Sequence, residues 1–360
     1  MLGYQSPSPT VDWTRDRSSG MNEAITKVRK GESVSPDAPK VSVIIPAYNI
    51  APYMAETLDS VFAQTYEDFE VIIVNDGSTD TGELEAALGP FFDRIIYAVQ
   101  PNSGASVARN SAIALARGRL LAFLDGDDVW LPKFLESQTE HLEEHDLDMV
   151  YCDARIFGEQ LYDGTNYMKK SPSDGPVTTV SLINGTCNVI TSGTVLRKEL
   201  IERFGWFDLE SPTAQDFDLW FRLAKNGARI GYQREILLNY RVRPGNLSGG
   251  SIKRAERNIS SLKMIERKYE LDERETRVAE KRQAEFEAEL ALEKGKLCLA
   301  NGEFSKAKEH IAKANKFFRR PKLLLMNLLI SIEPRMAFQL FRKARSREFS
   351  FIAKDFENGS

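Results

Sequence analysis

The chain has 360 residues, of which 42% are hydrophobic and 28% charged, and its formal net charge is −4. This is the composition of a folded globular protein whose length suggests two domains. The negative charge argues against a general nucleic-acid binder, because phosphate backbones require an excess of Lys and Arg. The three separated cysteines form no disulfide or zinc pattern, and neither a secretory leader nor an apolar run of ~18 residues is found. We therefore expect a cytoplasmic protein.

The first part of the chain alternates between predicted strands and helices. Residues 1–39 are rich in Ser, Pro, Gly and charge and are expected to form a flexible tail. Apolar runs and helical spacing then predict strand 41–45, helix 51–64, strand 69–74, helix 79–88, strand 95–99, helix 103–117 and strand 120–124. This order predicts an α/β fold, a Rossmann-like, mainly parallel mixed sheet with helices on both faces.

The rest of the chain divides at about residue 250. Residues 149–243 contain short strands, two helices and Gly/Pro-rich loops, whereas residues from 251 onward are rich in Glu, Lys, Arg and Ala and predict helices. The stretch from Gly295 to Phe317 resembles one tetratricopeptide unit, although such arrays need about three repeats to be stable alone. We expect an α/β domain at 40–250, a helical appendage at 251–350 and a tail at 351–360.

An acidic motif, Asp125-Gly126-Asp127-Asp128, directly follows the predicted strand 120–124. Open α/β sheets place their ligand sites at the carboxyl ends of strands. Two carboxylates one residue apart can hold a cation such as Mg²⁺, whose other ligands are usually waters and substrate phosphates. Taken alone, the motif also fits a solvated or helix-capping turn.

Four further motifs are predicted at strand ends or helix starts. They are Pro46-Ala47-Tyr48-Asn49, Asn75-Asp76-Gly77-Ser78-Thr79-Asp80, Asn102-Ser103-Gly104 with Ala108-Arg109-Asn110, and Gln215-Asp216-Phe217-Asp218-Leu219-Trp220. The first three and the acidic motif should meet at one edge of the sheet.

This set and order of motifs resembles glycosyltransferase family 2, the inverting nucleotide-sugar transferases with a GT-A fold, over residues 41–248. The resemblance implies transfer of a sugar from a nucleotide-diphosphate sugar, with a UDP-sugar favoured, to a hydroxyl of a carbohydrate or lipid-linked acceptor. Synthesis of a cell-surface polysaccharide or glycoconjugate is the implied setting. One alternative is a catalytically weak relative that acts as a helical interaction or scaffold protein. Another is a sugar-phosphate nucleotidyltransferase, which would need a Gly-rich phosphate loop where this chain has Pro46 to Asn49.

The resemblance also implies roles for the carboxylates. Asp125 and Asp127 would bind Mg²⁺ or Mn²⁺ that bridges the donor phosphates. Asp216 is the candidate general base, which takes the proton from the acceptor hydroxyl as that oxygen attacks the anomeric carbon. The alternative for Asp216 is a helix N-cap, and Asp80 and Asp128 are expected to cap helices.

The remaining donor contacts follow from the same resemblance. Tyr48 and Asn49 would contact the base, and Asp76 would accept hydrogen bonds from the base or ribose. The helix start at Gly104 favours an anion, and Arg109 would contact the diphosphate or the acidic motif. The implied donor set is Pro46, Ala47, Tyr48, Asn49, Asp76, Gly104, Arg109, Asp125, Gly126 and Asp127. The alternatives are core packing for Tyr48, a turn role for Asp76 and a surface ion pair for Arg109.

Other positions are less closely tied to the resemblance. Trp220 would either line the acceptor side or pack in the core. Tyr240, Arg241 and the loop after them resemble the segment that closes over the diphosphate. The chain departs from the family pattern at Gln215, Asn75 and Arg243, the last of which stands where a His often helps to ligate the metal.

Residues 317–347 combine Leu-, Met- and Phe-rich stretches with many basic residues. One interpretation is a basic amphipathic surface that lies on an anionic membrane, at the inner face of the plasma membrane. The other is that the last helices of the appendage pack inward through their leucines, and we favour this second interpretation.

Overall fold

The computed structural model describes residues 25–158, 164–210, 215–243 and 250–344, the side chains of 341–344 excepted. The chain divides into two compact units between positions 244 and 245. Each unit is described by itself below.

The first unit is built on a nine-stranded sheet of order β1-β4-β3-β2-β5-β8-β7-β9-β6. The strands are β1 (Lys27–Lys30), β2 (Val41–Ala47), β3 (Phe69–Asp76), β4 (Ile95–Gln100), β5 (Leu120–Phe123), β6 (Val129–Trp130), β7 (Met149–Phe157), β8 (Thr194–Arg197) and β9 (Ile230–Arg241). Strands β4, β3, β2 and β5 are parallel neighbours, as are β7 and β9, whereas β1, β8 and β6 run antiparallel to their neighbours. The predicted α/β fold with a mixed, mainly parallel sheet is confirmed.

Seven helices accompany the sheet among the described residues of this unit. They are α1 (Ala51–Phe62), α2 (Thr81–Leu88), α3 (Ala105–Leu115), α4 (Phe134–Glu144), α5 (Thr179–Asn184), α6 (Lys198–Phe204) and α7 (Gln215–Lys225). Helix α3 contacts β2 and β3, and its inward side is lined by small residues such as Ala108 and Ala112. Because these side chains are short, the helix can lie close to the buried Val and Ile side chains of the central strands.

The register of the central strands brings the predicted motifs together. Ala47 of β2 pairs with Asn75 of β3, and Asp76 pairs with Gln100 of β4. These strands are parallel, so their carboxyl ends lie at one edge of the sheet. The chain leaves β2, β3, β4 and β5 at that edge.

Part of the segment expected to be a flexible tail is ordered as strand β1. Its four residues pair antiparallel with β4, and all four are exposed. The strand has no apolar run and is held through backbone hydrogen bonds, with Arg29 lying 4.0 Å above the ring of Phe92. Hydrophobic patterning therefore gives no signal for it.

The second unit contains five helices among its described residues. They are α8 (Ser251–Lys268), α9 (Glu273–Ala300), α10 (Phe304–Phe318), α11 (Pro321–Ile332) and α12 (Pro334–Ala344). A capping box starts α9, since Asp272 accepts from the N–H of Glu275 while the Glu275 side chain accepts from the N–H of Asp272. Helices α9 and α10 pack as a pair joined by a turn in which Gly302 has φ +75°. Within the described residues, no helix is long and apolar enough to cross a membrane.

The leucine-rich helix α11 packs on only one of its sides. Ile330 is buried with α10 residues such as Ile311, and Leu323, Met326 and Leu329 pack against this cluster. The opposite side remains exposed, at 66% for Leu324, 66% for Leu325, 55% for Leu328 and 71% for Ile332. The favoured prediction, inward packing through the leucines, is therefore wrong for these four side chains.

Candidate active site

The acidic motif forms the connection between β5 and β6 and is held against helix α1. A Cβ atom at Gly126 would lie 2.1 Å from Cδ1 of Ile50 and 2.9 Å from Cε of Met54, so a larger residue there would require these two side-chain ends to move. The buried hydroxyl of Thr57 hydrogen-bonds the carbonyl oxygens of Gly126 (3.1 Å) and Asp128 (2.9 Å). These contacts fix the backbone that carries the carboxylates.

Asp125 is paired with a buried arginine. The Nη2 group of Arg109, on α3, donates to Oδ1 of Asp125 at 2.6 Å. The N–H of Asp125 donates to Oγ of Ser192 at 3.1 Å. Of the two partners expected for Arg109, the structure therefore places the acidic motif beside it. The Nε group of Arg109 is also buried, without a hydrogen-bond partner among the described residues.

Asp127 is paired with the residue that departs from the family pattern. Arg243 donates from Nε to Oδ2 of Asp127 at 2.6 Å, and its guanidinium lies 5.3 Å from the ring centre of Tyr53. Burial raises the pKa of Asp127, against the lowering effect of the Arg243 hydrogen bond, and the charge of Asp125 raises it further. Asp125 and Asp127 thus each have their own arginine.

Asp128 has a different function from the one expected. Its chain continues into β6 and not into a helix, so helix capping is wrong for this residue. Its Oδ1 accepts from the backbone N–H of Arg241 at 2.8 Å, and its buried Oδ2 has no partner among the described residues. Burial, followed by the charges of Asp127 and Asp125, raises the pKa of Asp128 well above its ordinary value. The carboxyl group joins the acidic motif to β9.

The acidic motif can hold a cation if a bound ligand fills some of the coordination positions of that cation. Asp125 and Asp127 each engage one carboxylate oxygen with an arginine, which leaves the other oxygen of each for a metal. In the part of the chain that the structure describes, no group of three or more His, Cys, Asp or Glu could hold a metal by itself. Two carboxylates suit Mg²⁺ or Mn²⁺ when phosphates and waters complete the coordination.

Asp76 and Gly104 contact each other directly. Asp76 accepts hydrogen bonds from the N–H groups of Ser103 (2.9 Å) and Gly104 (2.8 Å), and from the side chain of Gln100 (2.7 Å). Gly104 has φ +92°, a conformation that favours glycine. The N–H groups of Ser103 and Gly104, which lie at the helix start expected to favour a donor anion, therefore bind the Asp76 carboxylate in this structure.

The end of β2 presents one exposed ring. Tyr48 is 46% exposed, so it is not the core residue of the alternative interpretation. The side chain of Asn49 accepts from the N–H of Thr79 at 2.9 Å. Pro46 is partly buried, and Ala47 is buried in the core, with no exposed side chain to offer a ligand.

Asp80 stabilises a different helix from the one predicted. It occupies the N-cap position of α2 without a capping hydrogen bond there. Its Oδ2 instead accepts from the N–H of Ala51 at 2.9 Å, in the first turn of α1. The predicted N-cap position is therefore confirmed, whereas the capping hydrogen bond to α2 is not formed.

Asp216 lies in the first turn of α7 and close to the acidic motif. Its Oδ2 is 3.4 Å from the hydroxyl of Thr191, and its Oδ1 accepts from the N–H of Phe217. Thr191 is adjacent to Ser192, whose hydroxyl binds Asp125. A second connection runs through α3, because Ser106 hydrogen-bonds Gln215 one turn before Arg109. Two independent links thus bring Asp216 to the Asp125 side of the site.

Trp220, Tyr240 and Arg241 belong to regular elements. Trp220 is 2% exposed and packs edge-on against Phe123 and Phe207, so it does not line an acceptor surface. Tyr240 and Arg241 lie in β9 and not in a closing loop. Burial raises the pKa of Tyr240 well above its ordinary value, with Tyr167 and the acidic motif adding to the shift. Of the loop 243–248, only Arg243 lies within the described residues.

Sequence reasoning missed three hydroxyl residues that hold the site together. Thr57, Thr191 and Ser192 position the acidic motif and Asp216. The polar run Thr191-Ser192-Gly193 just before strand β8 is a weak hint in the sequence. Its partners are distant along the chain, so spacing does not reveal them.

Comparison with known proteins identifies the family of the chain. A sequence model of glycosyl transferase family 2 matches residues 42–205. The putative teichuronic acid biosynthesis glycosyltransferase TuaG of Bacillus subtilis is 33% identical over 234 residues, which are 64% of this chain and 89% of TuaG. WfaP of Escherichia coli, a UDP-Glc:α-D-GlcNAc-diphosphoundecaprenol β-1,3-glucosyltransferase, is 29% identical over 62% of this chain and 86% of its own.

Some relatives are much longer. An uncharacterized glycosyltransferase of Rickettsia felis is 32% identical over 220 residues, which are 59% of this chain and 36% of the relative. The chain therefore matches only about a third of that protein's length.

Solved structures share the fold. The mannosyltransferase PcManGT of Pyrobaculum calidifontis, in complex with GDP-Man and Mn²⁺, aligns with a TM-score of 0.55 at 21% identity, over 92% of this chain and 93% of its own. Residues 1–349 of TarS from S. aureus, in complex with UDP-GlcNAc, align with a TM-score of 0.53 at 18% identity, over 86% of this chain and 92% of that one. The family-model match to residues 42–205 and the match to most of TuaG show that the chain belongs to glycosyltransferase family 2.

Proposed function

We propose that the chain is a metal-dependent inverting glycosyltransferase that moves a sugar from a nucleotide-diphosphate sugar to an acceptor hydroxyl. The proposal rests on one observation, which is that two consecutive residues contact the two carboxylate residues in question. Thr191 contacts Asp216, and Ser192 contacts Asp125. A candidate base and a candidate leaving-group site are thus linked through adjacent residues, and a single displacement at the anomeric carbon needs both.

Asp216 is the proposed general base. As the acceptor oxygen attacks, its proton passes to the Asp216 carboxylate, and the bond between the anomeric carbon and the diphosphate oxygen breaks on the opposite side. One displacement inverts the configuration, so a single base suffices. The N–H of Phe217 and the hydroxyl of Thr191 hold the carboxylate in place.

Asp125 and Asp127 are the proposed residues for Mg²⁺ or Mn²⁺. When bound, the cation supplies Lewis-acid assistance to departure of the nucleoside diphosphate. Arg109 and Arg243 add two positive charges at the same carboxylates. Arginine recognises phosphate through charge-assisted hydrogen bonds, so both guanidinium groups are suited to contact the donor diphosphate.

The nucleotide is proposed to bind beside Tyr48 and Asp76. The exposed ring of Tyr48 offers a surface on which a base can stack. The Asp76 carboxylate accepts three hydrogen bonds in the structure. A carboxylate has about four acceptor positions, so one remains for a hydroxyl of the ribose or an N–H of the base.

A UDP-sugar is the proposed donor, and a carbohydrate or lipid-linked glycan the proposed acceptor. WfaP by its name takes UDP-Glc and acts on a diphosphoundecaprenol-linked sugar, and TarS is known in complex with UDP-GlcNAc. TuaG by its name belongs to teichuronic acid synthesis. These names support a function in cell-surface polysaccharide or glycoconjugate assembly.

A thermal-shift screen of nucleotide sugars, each with Mn²⁺ or Mg²⁺, tests the proposal. A true donor at about 100 times its Kd should stabilise the protein by about 2.7 kcal/mol, because it binds only the folded chain. Hydrolysis of the same donors is then followed by release of the nucleoside diphosphate. If no donor of a full panel binds or turns over, the scaffold alternative is favoured.

A further inference from the structure

The exposed side of α11 is an apolar surface without a partner among the described residues of its own unit. Leu324, Leu325, Leu328 and Ile332 share one side of the helix, since they are spaced by one, three and four residues. Met336 and Leu340 of α12 are spaced by four and are 45% and 50% exposed. Single exposed leucines are ordinary, but six large apolar side chains on two consecutive helices mark an interaction surface.

Positive charge is concentrated in the same part of the chain. Residues 1–244 contain 23 Lys and Arg against 35 Asp and Glu, a formal charge of −12, whereas residues 245–360 contain 25 against 17, a charge of +8. Residues 311–347 alone contain ten Lys and Arg and one acidic residue, Glu333. Arg319, Arg320, Lys322 and Arg335 are exposed beside the apolar residues of α11 and α12.

We infer that the exposed faces of α11 and α12, which we call the α11–α12 surface, dock on anionic phospholipid. Leucines that enter the acyl boundary and basic side chains that meet lipid phosphates are the two components of interfacial helix binding. Helix α11 has 12 residues, so it is too short to span a bilayer and would lie in its plane. A second copy of the chain is a poorer occupant, because a symmetric contact would bring the same basic residues face to face.

Co-sedimentation of the full chain with vesicles tests the inference. We expect binding to vesicles that contain phosphatidylglycerol and far less to vesicles of phosphatidylcholine alone. Leu328→Glu should weaken binding about tenfold, because burying a leucine contributes about 1.5–3 kcal/mol. The double variant K322E/R335E should weaken it at least about thirtyfold, since each of the two basic residues near the surface contributes about 1 kcal/mol.

Leu209→Glu is the matched control, because it places the same charge on an exposed leucine of the first unit. It should bind vesicles as the wild type does, and circular dichroism should show that all variants are folded. Equal binding by wild type and Leu328→Glu would overturn the inference, as would negligible binding by the wild type. A wild-type dimer in sedimentation velocity that Leu328→Glu converts to a monomer, without vesicle binding, would assign the surface to a second copy instead.

Discussion

At the scale of single residues, the described contacts of the Asp216 carboxylate are those with the hydroxyl of Thr191 and the N–H of Phe217. Substitution by Asn removes the basic oxygen but preserves shape and the hydrogen bond from the N–H of Phe217. Donor binding should therefore remain unchanged in calorimetry, while kcat for transfer falls about 10²- to 10⁴-fold. Asp59→Asn, at an exposed position on α1, is the control and should leave both quantities unaltered. Full transfer by Asp216→Asn would show that another group is the base.

Arg243 competes with a cation for Asp127. Its side chain donates to Oδ2 of Asp127, so a metal that binds this carboxylate meets a neighbouring positive charge. Arg243→Gln should tighten binding of Mn²⁺ to the donor-free protein up to about fivefold, the effect of a partly exposed ion pair of about 1 kcal/mol. Electron paramagnetic resonance of free Mn²⁺ measures this constant. Arg243→Lys keeps the charge and should behave like the wild type, and weaker Mn²⁺ binding by the Gln variant would contradict the competition.

The sequence predicts that the motifs meet at one edge of the sheet, as the strand register shows, but it does not predict the side-chain partners within the candidate site. Their positions predict that Asp80 and Asp128 cap the helices that follow them, whereas their side chains accept from the backbone N–H groups of Ala51 and Arg241, respectively. Local spacing describes contacts within a few residues. Hydrogen bonds between distant segments depend on the packing of elements, which a single sequence does not display.

At the scale of elements, α1 supports the acidic motif through Thr57. Thr57→Val keeps the side-chain volume but removes the hydroxyl. Among the described residues of α1, this hydroxyl is the group that donates to the carbonyls of Gly126 and Asp128. Two buried carbonyls would lose this donor, at a cost of about 1–3 kcal/mol in the free energy of unfolding. Urea unfolding measures the loss, and KM for the donor should rise as the motif loosens. Thr57→Ser retains the hydroxyl and should restore KM; if it fails, the hydroxyl is not what positions the motif.

Gly295 sets the distance between α9 and α10. A Cβ atom there would lie 2.9 Å from Cγ1 of Ile311, so a larger side chain must push the helices apart. Gly295→Val should lower the free energy of unfolding by about 1–3 kcal/mol, although valine favours a helix more than glycine does. Lys308→Val, at an exposed position of α10, is the control for helix propensity alone. It should lower the free energy of unfolding by about 0.5 kcal/mol. Equal stability of the two variants in urea would mean that the helix pair tolerates the added volume.

Strands and helices could be predicted where the pattern of apolar residues alone identifies them. The central strands are apolar throughout because both faces are covered, and this pattern identified them. Strand β1 carries no such pattern, since backbone pairing at the sheet edge holds it. Helix α11 is apolar on all sides, so its sequence could not tell which leucines face the core.

At the scale of the whole molecule, the opposite charges of residues 1–244 and 245–360 are not visible in the net charge of −4. The net charge of the full chain therefore does not reveal the basic region that an anionic partner would bind. The family could be recognised because its motifs lie at the ends of strands in fixed order. The α11–α12 surface lies beyond residue 205, where the family match ends, and only exposure in the structure distinguishes it.

This charge distribution predicts how salt should act on vesicle binding. Raising ionic strength from about 0.1 M to about 1 M shortens the Debye length from about 10 Å to about 3 Å, which screens the basic residues and leaves leucine burial intact. The affinity of the wild type for phosphatidylglycerol vesicles should fall across this range, and that of K322E/R335E should fall less steeply. Leu328→Glu should retain most of the salt dependence, because its basic residues are unchanged and the added carboxylate offsets only one positive charge. Salt-independent binding by the wild type would mean that leucine insertion acts alone and that the +8 charge of residues 245–360 takes no part.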